Sequence, residues 1–293
     1  MSENKQKLIE LAERLAIPLP EEMGSFDGYS LHCNFSGGKD SIALVLLLLY
    51  GYKVPKEKIQ LIHMRVDSSE ERNPNPLFDW PQTDEYLRYC AKKLDLPLVI
   101  ISSPKSLEER IRDRGLWPAP SQQFCTSYQK RDVYAKWVRS LGPGRYLCLS
   151  GERAEESSRR AQNLAKSTFR VYKSANAPTK NRFVDWYRPI HHLLTDEVWE
   201  LMRLADIEPH PCYQNVSRCS CRFCIFLSPK EMKKVAELYP EEFQKLVEME
   251  KQMGHTMKYE KGNSISLEEF INKANTNDDQ LELDLFKPCA TWA

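Results

Sequence analysis

Three observations predict an α/β fold: a doubly wound, mostly parallel sheet followed by a C-terminal cysteine-cluster helical region. Between residues 25 and 205, short apolar runs alternate with amphipathic stretches of helical period, the order expected of strands joined by crossover helices. The apolar runs are near-continuous, as in parallel strands buried on both faces. A glycine-containing turn, Ser36-Gly37-Gly38-Lys39-Asp40-Ser41, separates the first apolar run from the next, and such sheets take their ligands at the carboxyl ends of strands.

Leu8, Ile9, Leu11, Ala12 and Leu15 recur at helical spacing and predict a helix over residues 5–16, which Pro18 and Pro20 end. Strands are expected at Leu31–Phe35, Ile59–Val66, Leu98–Ile101 and Tyr146–Leu149. Helices are expected at Ser41–Tyr50, Gln82–Leu94, Leu107–Arg112, Ser127–Leu141 and Thr195–Ala205. Residues 68–81, rich in proline and charge, read as a loop. After residue 205 the pattern breaks at Pro209, Pro211 and a run of cysteines, and short helices follow at Pro229–Leu238 and Glu241–Met253. The chain therefore divides into an N-terminal helix (1–24), a nucleotide-binding domain (25–205) and a C-terminal region (206–293).

The turn at 36–41 has the chemistry of an anion site. A strand, a glycine-rich turn and a helix N-terminus expose backbone N–H groups, and the helix dipole adds positive potential. Gly37 and Gly38 let a phosphate approach the backbone, Lys39 adds a mobile charge, and Ser36 and Ser41 add hydroxyls. The spacing differs from a Walker loop. Lys39 and Asp40 are the first candidates for catalytic roles. Gly151-Glu152-Arg153 follows the fourth strand. Gly151 again permits close approach, and Arg153, Arg159 and Arg160 have guanidinium groups suited to phosphate, with Glu156 able to orient one of them. Asp67 follows the second strand, where its carboxylate can bind ribose, adenine or hydrated Mg²⁺, or simply cap the strand.

Charge is nearly balanced, Lys+Arg 42 against Asp+Glu 41 over 293 residues. No global basic field announces a nucleic-acid partner, although a local patch remains compatible with one. The longest apolar run, Ile42 to Tyr50, is too short to span a membrane, and the first residues lack a leader pattern. A cytoplasmic protein with no membrane partner is expected.

Nine cysteines in a reducing compartment point to ligands, nucleophiles or core residues rather than disulfides. Cys212-x6-Cys219-x-Cys221-x2-Cys224 packs four thiols into thirteen residues with polar neighbours. The asymmetric spacing favours a [4Fe–4S] cluster first and zinc second, with Arg218 and Arg222 offsetting its charge. Cys125 precedes a helix, and its neighbours Lys130 and Arg131 favour a thiolate. It is a candidate nucleophile, persulfide carrier or replacement cluster ligand. Cys289 lies near the end, and Cys33, Cys90 and Cys148 read as core.

Ser36–Ser41, Asp79-Trp80-Pro81-Gln82-Thr83, Phe124-Cys125-Thr126, Gly151-Glu152-Arg153 through Ala161, Tyr187-Arg188-Pro189-Ile190 and Arg218-Cys219-Ser220-Cys221 through Phe226 occur in this order. Together they resemble the phosphoadenosine phosphosulfate reductase-like family of the PP-loop adenine nucleotide alpha-hydrolase superfamily, over roughly residues 30–255. The resemblance implies a PP-loop fold with Ser36–Ser41 and Gly151–Arg153 around the nucleotide. Two departures stand out. The surroundings of Cys289 do not match the Glu-Cys-Gly-x-His motif of sulfonucleotide reductases, and Thr126 replaces the second cysteine of their iron–sulfur doublet. The clustered C-terminal cysteines look like the ATP pyrophosphatases of DNA phosphorothioation, an anti-phage modification. That type implies ATP, Mg²⁺, an iron–sulfur cluster, a cysteine desulfurase and other modification proteins as partners, and DNA as acceptor. Sulfonucleotide reduction, tRNA thiolation and a non-catalytic nucleotide-binding role are the alternatives.

Overall fold

The structure, a computed structural model, describes residues 3–176, 181–260 and 262–275. The chain forms two compact units. The first comprises Met1–Met64, Gln82–Ile101 and Asp132–Pro211; the second comprises Arg65–Pro81, Ser102–Arg131 and Cys212–Ala293. The second unit thus takes in two segments, 65–81 and 102–131, from the stretch assigned above to the nucleotide-binding domain.

The first unit is built on a six-stranded sheet: β1 (Ser30–Asn34), β2 (Ile59–Arg65), β3 (Leu98–Ser102), β4 (Gly144–Leu149), β5 (Phe169–Val171) and β6 (Arg182–Tyr187). Their order is β3-β2-β1-β4-β6-β5. β1 pairs in parallel with β2 and with β4, and β4 in parallel with β6, while β5 is antiparallel to β6. The order reverses direction between β1 and β4, the switch point where doubly wound sheets bind ligands. The two loops singled out in the sequence, 36–41 and 151–153, follow those two strands.

Helix Lys39–Leu46 shows why this sheet forms where it does. Every residue from Ser41 to Leu46 is buried, and Leu44 and Leu46 join Leu31, Cys33, Leu147 and Leu201 in one core. Each such aliphatic side chain contributes about 1.5–3 kcal/mol on burial. Leu8, Ala12 and Leu15 of the first helix, Glu3–Leu15, belong to the same core. Cys33, Cys90 and Cys148 are fully buried, and burial raises each thiol pKa, to about 11 for Cys90 and about 12 for Cys148. They are core residues, as the sequence suggests.

The second unit has its own core, with Ile111, Trp117, Phe223, Met232, Leu246 and Phe270 among its buried members. Its helices are locally encoded. Ser106, Ser228 and Ser266 each open a capping box with a glutamate three residues on, before helices Leu107–Arg114, Pro229–Leu238 and Leu267–Asn272. Helix Pro240–Met253 ends at Gly254 in the left-handed conformation.

Two sequence expectations change. The helix read over Ser127–Leu141 is a short turn, Phe124–Thr126, then a π-turn, Ser127–Arg131, then helix Asp132–Ser140. The extra residue per turn falls where the chain passes from the second unit to the first. β5 and β6 have no counterpart among the strands expected from the sequence. β6 is masked by Arg182 and Asp185, whose polar groups find tertiary partners: Arg182 Nη1 donates to the Arg139 carbonyl at 3.3 Å, and Asp185 Oδ2 accepts from Tyr29 Oη at 2.7 Å.

Candidate functional site

In the first unit, the turn after β1 is closed by its own side chains. Gly38 N donates to Ser36 Oγ at 3.3 Å, and Ser41 Oγ donates to the Gly38 carbonyl at 2.8 Å. Gly37 has φ +77°, and a Cβ there would sit 3.2 Å from the Tyr86 ring, so both conformation and space require glycine. Gly151 is required by contact alone. A Cβ there would lie 2.8 Å from the Asp40 carbonyl oxygen and 3.2 Å from Ser41 N. The loop after β4 therefore rests directly on the backbone of the turn after β1.

A charge network joins the same two loops. Asp40 accepts from Lys39 Nζ at 2.9 Å through Oδ2 and from Arg153 Nε at 2.6 Å through Oδ1. Arg153 is 2% exposed. It also donates to Glu155 at 2.7 Å, the Leu193 carbonyl at 3.0 Å and Thr195 Oγ1 at 3.2 Å. The sequence reading made Arg153 a phosphate grip; the structure makes it the brace that fixes Asp40. Arg160 is buried as well and pairs with Glu156, whose carboxylate also accepts from Arg153 N at 2.9 Å. Glu156 orients an arginine, as expected, and neither Arg153 nor Arg160 projects into solvent. Lys39, with its side chain 11% exposed, is the cation the turn itself carries.

Sequence reasoning gave no separate role to Glu152 and Arg188. They form a buried ion pair, Arg188 Nε to Glu152 Oε2 at 2.9 Å, with the guanidinium over the Trp186 ring. Thr83 Oγ1 lies 3.2 Å from His210 Nε2 at the start of helix Thr83–Leu94.

Asp67 belongs to the second unit. It is fully buried, and its Oδ2 accepts from Phe78 N and from Asp79 N at 2.8 Å, while Asp79 Oδ2 accepts from Val66 N and Asp67 N at 2.8 and 2.9 Å. The two aspartates staple the ends of the 67–79 loop. This is the strand-capping role, and it corrects the nucleotide or Mg²⁺ role offered by the sequence. Burial and the neighbouring Asp79 charge push its pKa up to about 7.

The clustered cysteines separate into two sets. Cys221 and Cys224 line a mainly apolar cavity together with Cys125 and Lys130, among Phe78, Trp117, Phe223 and Met257. Burial raises the Cys221 thiol well above its ordinary range, Lys130 opposes that, and Cys224 and Cys125 add to it. Cys212 and Cys219 do not line this cavity; their sulfurs lie within 4.8 Å of each other. Cys289 lies outside the described residues.

Two buried cations hold the Cys221-x2-Cys224 loop. Arg222, 0% exposed, donates from Nε and Nη2 to the Leu77 carbonyl at 3.2 and 3.1 Å and to the Pro76 carbonyl, and pairs with Glu242 at 3.3 Å. Its own N–H donates to the Phe78 carbonyl at 2.7 Å. Lys258 Nζ donates to the Ile225 and Leu227 carbonyls at 2.8 and 2.9 Å and sits 4.2 Å above the Phe270 ring; burial lowers its pKa to about 8. The sequence named Arg222 only as a counter-charge and missed Lys258, because nothing local ties Lys258 to cysteines more than thirty residues earlier. No helix among the described residues is long and apolar enough to cross a membrane.

Comparison with known proteins gives the family. Residues 30–225 match the Phosphoadenosine phosphosulfate reductase domain. An uncharacterized protein of Methanocaldococcus jannaschii is 26% identical over 235 residues, covering 80% of this chain and 51% of that protein. A 37.8 kDa protein of Escherichia phage 186 is 26% identical over 142 residues, covering 47% of this chain and 40% of that one. The chain thus spans about half the length of the curated relatives it matches. Among solved structures, a phosphoadenylyl-sulfate reductase from Candida auris is similar with TM-score 0.44 and 16% identity, covering 73% of this chain and 93% of that one. The U34-tRNA thiolase NcsA from Methanococcus maripaludis, with its [4Fe-4S] cluster, is similar with TM-score 0.47 and 14% identity, covering 86% and 80%. With the domain match spanning most of the chain, on a doubly wound sheet whose switch-point loops meet at Gly151 and Asp40, this protein belongs to the phosphoadenosine phosphosulfate reductase domain family.

Proposed function

We propose that this protein is an ATP pyrophosphatase of the sulfur-transfer type, cleaving ATP with Mg²⁺ to AMP and pyrophosphate and thereby activating a DNA backbone phosphate for thiolation. The observation that carries the reading is the intact turn Ser36–Ser41, with Lys39 at a helix N-terminus and both serine hydroxyls turned onto its backbone. The amides of that turn and the Lys39 ammonium supply donors where charge develops on the departing pyrophosphate. Asp40, braced by Arg153, keeps Lys39 in place until a phosphate competes for it. Both Asp40 oxygens are already engaged, so Mg²⁺ would enter on the triphosphate oxygens, as is usual at such sites.

Cys125, Cys221 and Cys224 line one mostly apolar cavity, and their sulfurs would be the ligands of an iron–sulfur cluster there. Bound there, such a cluster would supply electron-transfer or sulfur-handling chemistry. Arg222 and Lys258 would hold the Cys221–Cys224 loop, and Lys130 would offset negative charge. DNA as acceptor, and a cysteine desulfurase as sulfur donor, rest on the sequence resemblance described above.

Product analysis tests this reading. Anaerobically purified protein is given ATP or 3′-phosphoadenosine 5′-phosphosulfate, each with Mg²⁺, and AMP, pyrophosphate and sulfite are measured. AMP and pyrophosphate from ATP are expected. Sulfite from the sulfonucleotide would instead make the protein a reductase, the second reading that the family match favours.

A further inference from the structure

Of the four clustered cysteines, Cys221 and Cys224 line the cavity and Cys212 and Cys219 do not. Cys125 lines that cavity as well, whereas Cys212 and Cys219 have their sulfurs within 4.8 Å of each other. A tetrahedral ion with Zn–S bonds of about 2.3 Å brings two thiolates to that kind of separation. Cys212 is 1% exposed and Cys219 is half-buried.

The loop joining the pair is held at both ends. Asn215 N and Val216 N return to the Cys212 carbonyl at 2.9 and 3.0 Å. Ser217 gives both its N–H and its hydroxyl to Glu231 Oε1, at 2.8 and 2.7 Å. The Ser220 carbonyl accepts from Trp80 Nε1 at 2.8 Å. Glu231 also caps helix Pro229–Leu238 through Ser228, so the loop is anchored on a regular element. Two thiols kept together by such a loop form a preorganised pair, and a divalent cation removes the cost of ionising both of them.

We infer that Cys212 and Cys219 form a second metal centre, separate from the cavity cysteines, which takes one soft divalent ion of the zinc class. On binding, each thiol gives up its proton to solvent and both sulfurs become ligands. Two thiolates fill half of a tetrahedral shell; in the sequence an imidazole, His210, stands two residues ahead of Cys212, and water is a further donor. Zinc here is structural, fixing the Cys212–Cys219 loop that leads into Cys221. The inference does not depend on which reaction the nucleotide site performs.

Metal analysis of the full chain, purified anaerobically, tests it. Zinc and iron per chain are measured by mass spectrometry for the parent protein, for C212S/C219S and for C221S/C224S, with circular dichroism confirming the fold. About one zinc per chain is expected in the parent. C212S/C219S should lose zinc and keep iron, and C221S/C224S should lose iron and keep zinc. Joint loss of iron in both variants would place all four cysteines on one cluster and overturn the inference. So would a Cys212–Cys219 disulfide in the parent, read as the tryptic peptide 204–218 linked to 219–222. Should C212S/C219S fail to fold, Co²⁺ added to chelator-stripped parent protein decides the matter. Sulfur-to-cobalt charge-transfer bands that alkylation of Cys212 abolishes support the pair, and their absence refutes it.

Discussion

The two units build their sites from different materials. In the first, six consecutive residues supply the turn, and a second loop meets it through bare backbone at Gly151. In the second, Cys125, Cys221 and Cys224 come from distant segments, and their loop is held by buried side-chain cations, Arg222 and Lys258. A site made of backbone amides depends on glycines and on the strand–turn–helix geometry that presents them. A site made of side chains depends on the groups that fix the supporting loop. The first should therefore fail through single positions in the turn, and the second through residues that never touch the bound group.

The largest effect is expected at Lys39. Lys39→Ala removes the cation of the turn while leaving its amides, and should lower kcat for ATP cleavage about 100- to 1,000-fold with an unchanged melting temperature. Unaltered turnover would remove the nucleotide turn from the chemistry altogether. Next is Arg222→Met. It strips donors from two buried carbonyls and from Glu242, and should cost about 3 kcal/mol in urea unfolding, with iron content falling although no cysteine has changed. Iron retained at the parental level would break the contrast between the two sites.

Gly151→Ala sharpens the other side. Its Cβ must displace the Asp40 carbonyl, so a cost of about 1–3 kcal/mol is expected, together with a raised KM for ATP; a silent substitution would mean the loops part freely. The effect confined to one pH window belongs to Asp67, whose folded-state pKa is pushed up to about 7 from an ordinary value of 3.8. A carboxyl with a raised pKa favours the folded state while protonated, so its contribution is complete below pH 3.8 and is lost as pH rises toward 7. The slope is at most about 1.4 kcal/mol per pH unit. Asp67→Asn keeps an oxygen for the Phe78 and Asp79 amides and should flatten stability between pH 4 and 7 in urea titrations. An unchanged slope would assign the titration elsewhere.

The sequence by itself determined strands β1 to β4, short apolar-rich runs bounded by turn residues, and the helix that follows the 36–41 turn, because these are patterns among chain neighbours. It also determined the glycine turn at 36–41, whose residues are contiguous. Only the tertiary structure decided the rest. β6 was hidden because Arg182 and Asp185 are polar and acquire partners only on folding. Arg153 changed from ligand grip to brace because its carboxylate partner, Asp40, lies on another strand's loop. Asp67 proved to be a loop staple, and the cysteines divided into a cavity set with Cys125 and a close pair, Cys212 and Cys219. The physical reason is the same in each case: backbone geometry and hydrophobic period are properties of neighbours in the chain, whereas the role of a polar side chain is set by whichever group folding brings within hydrogen-bond reach.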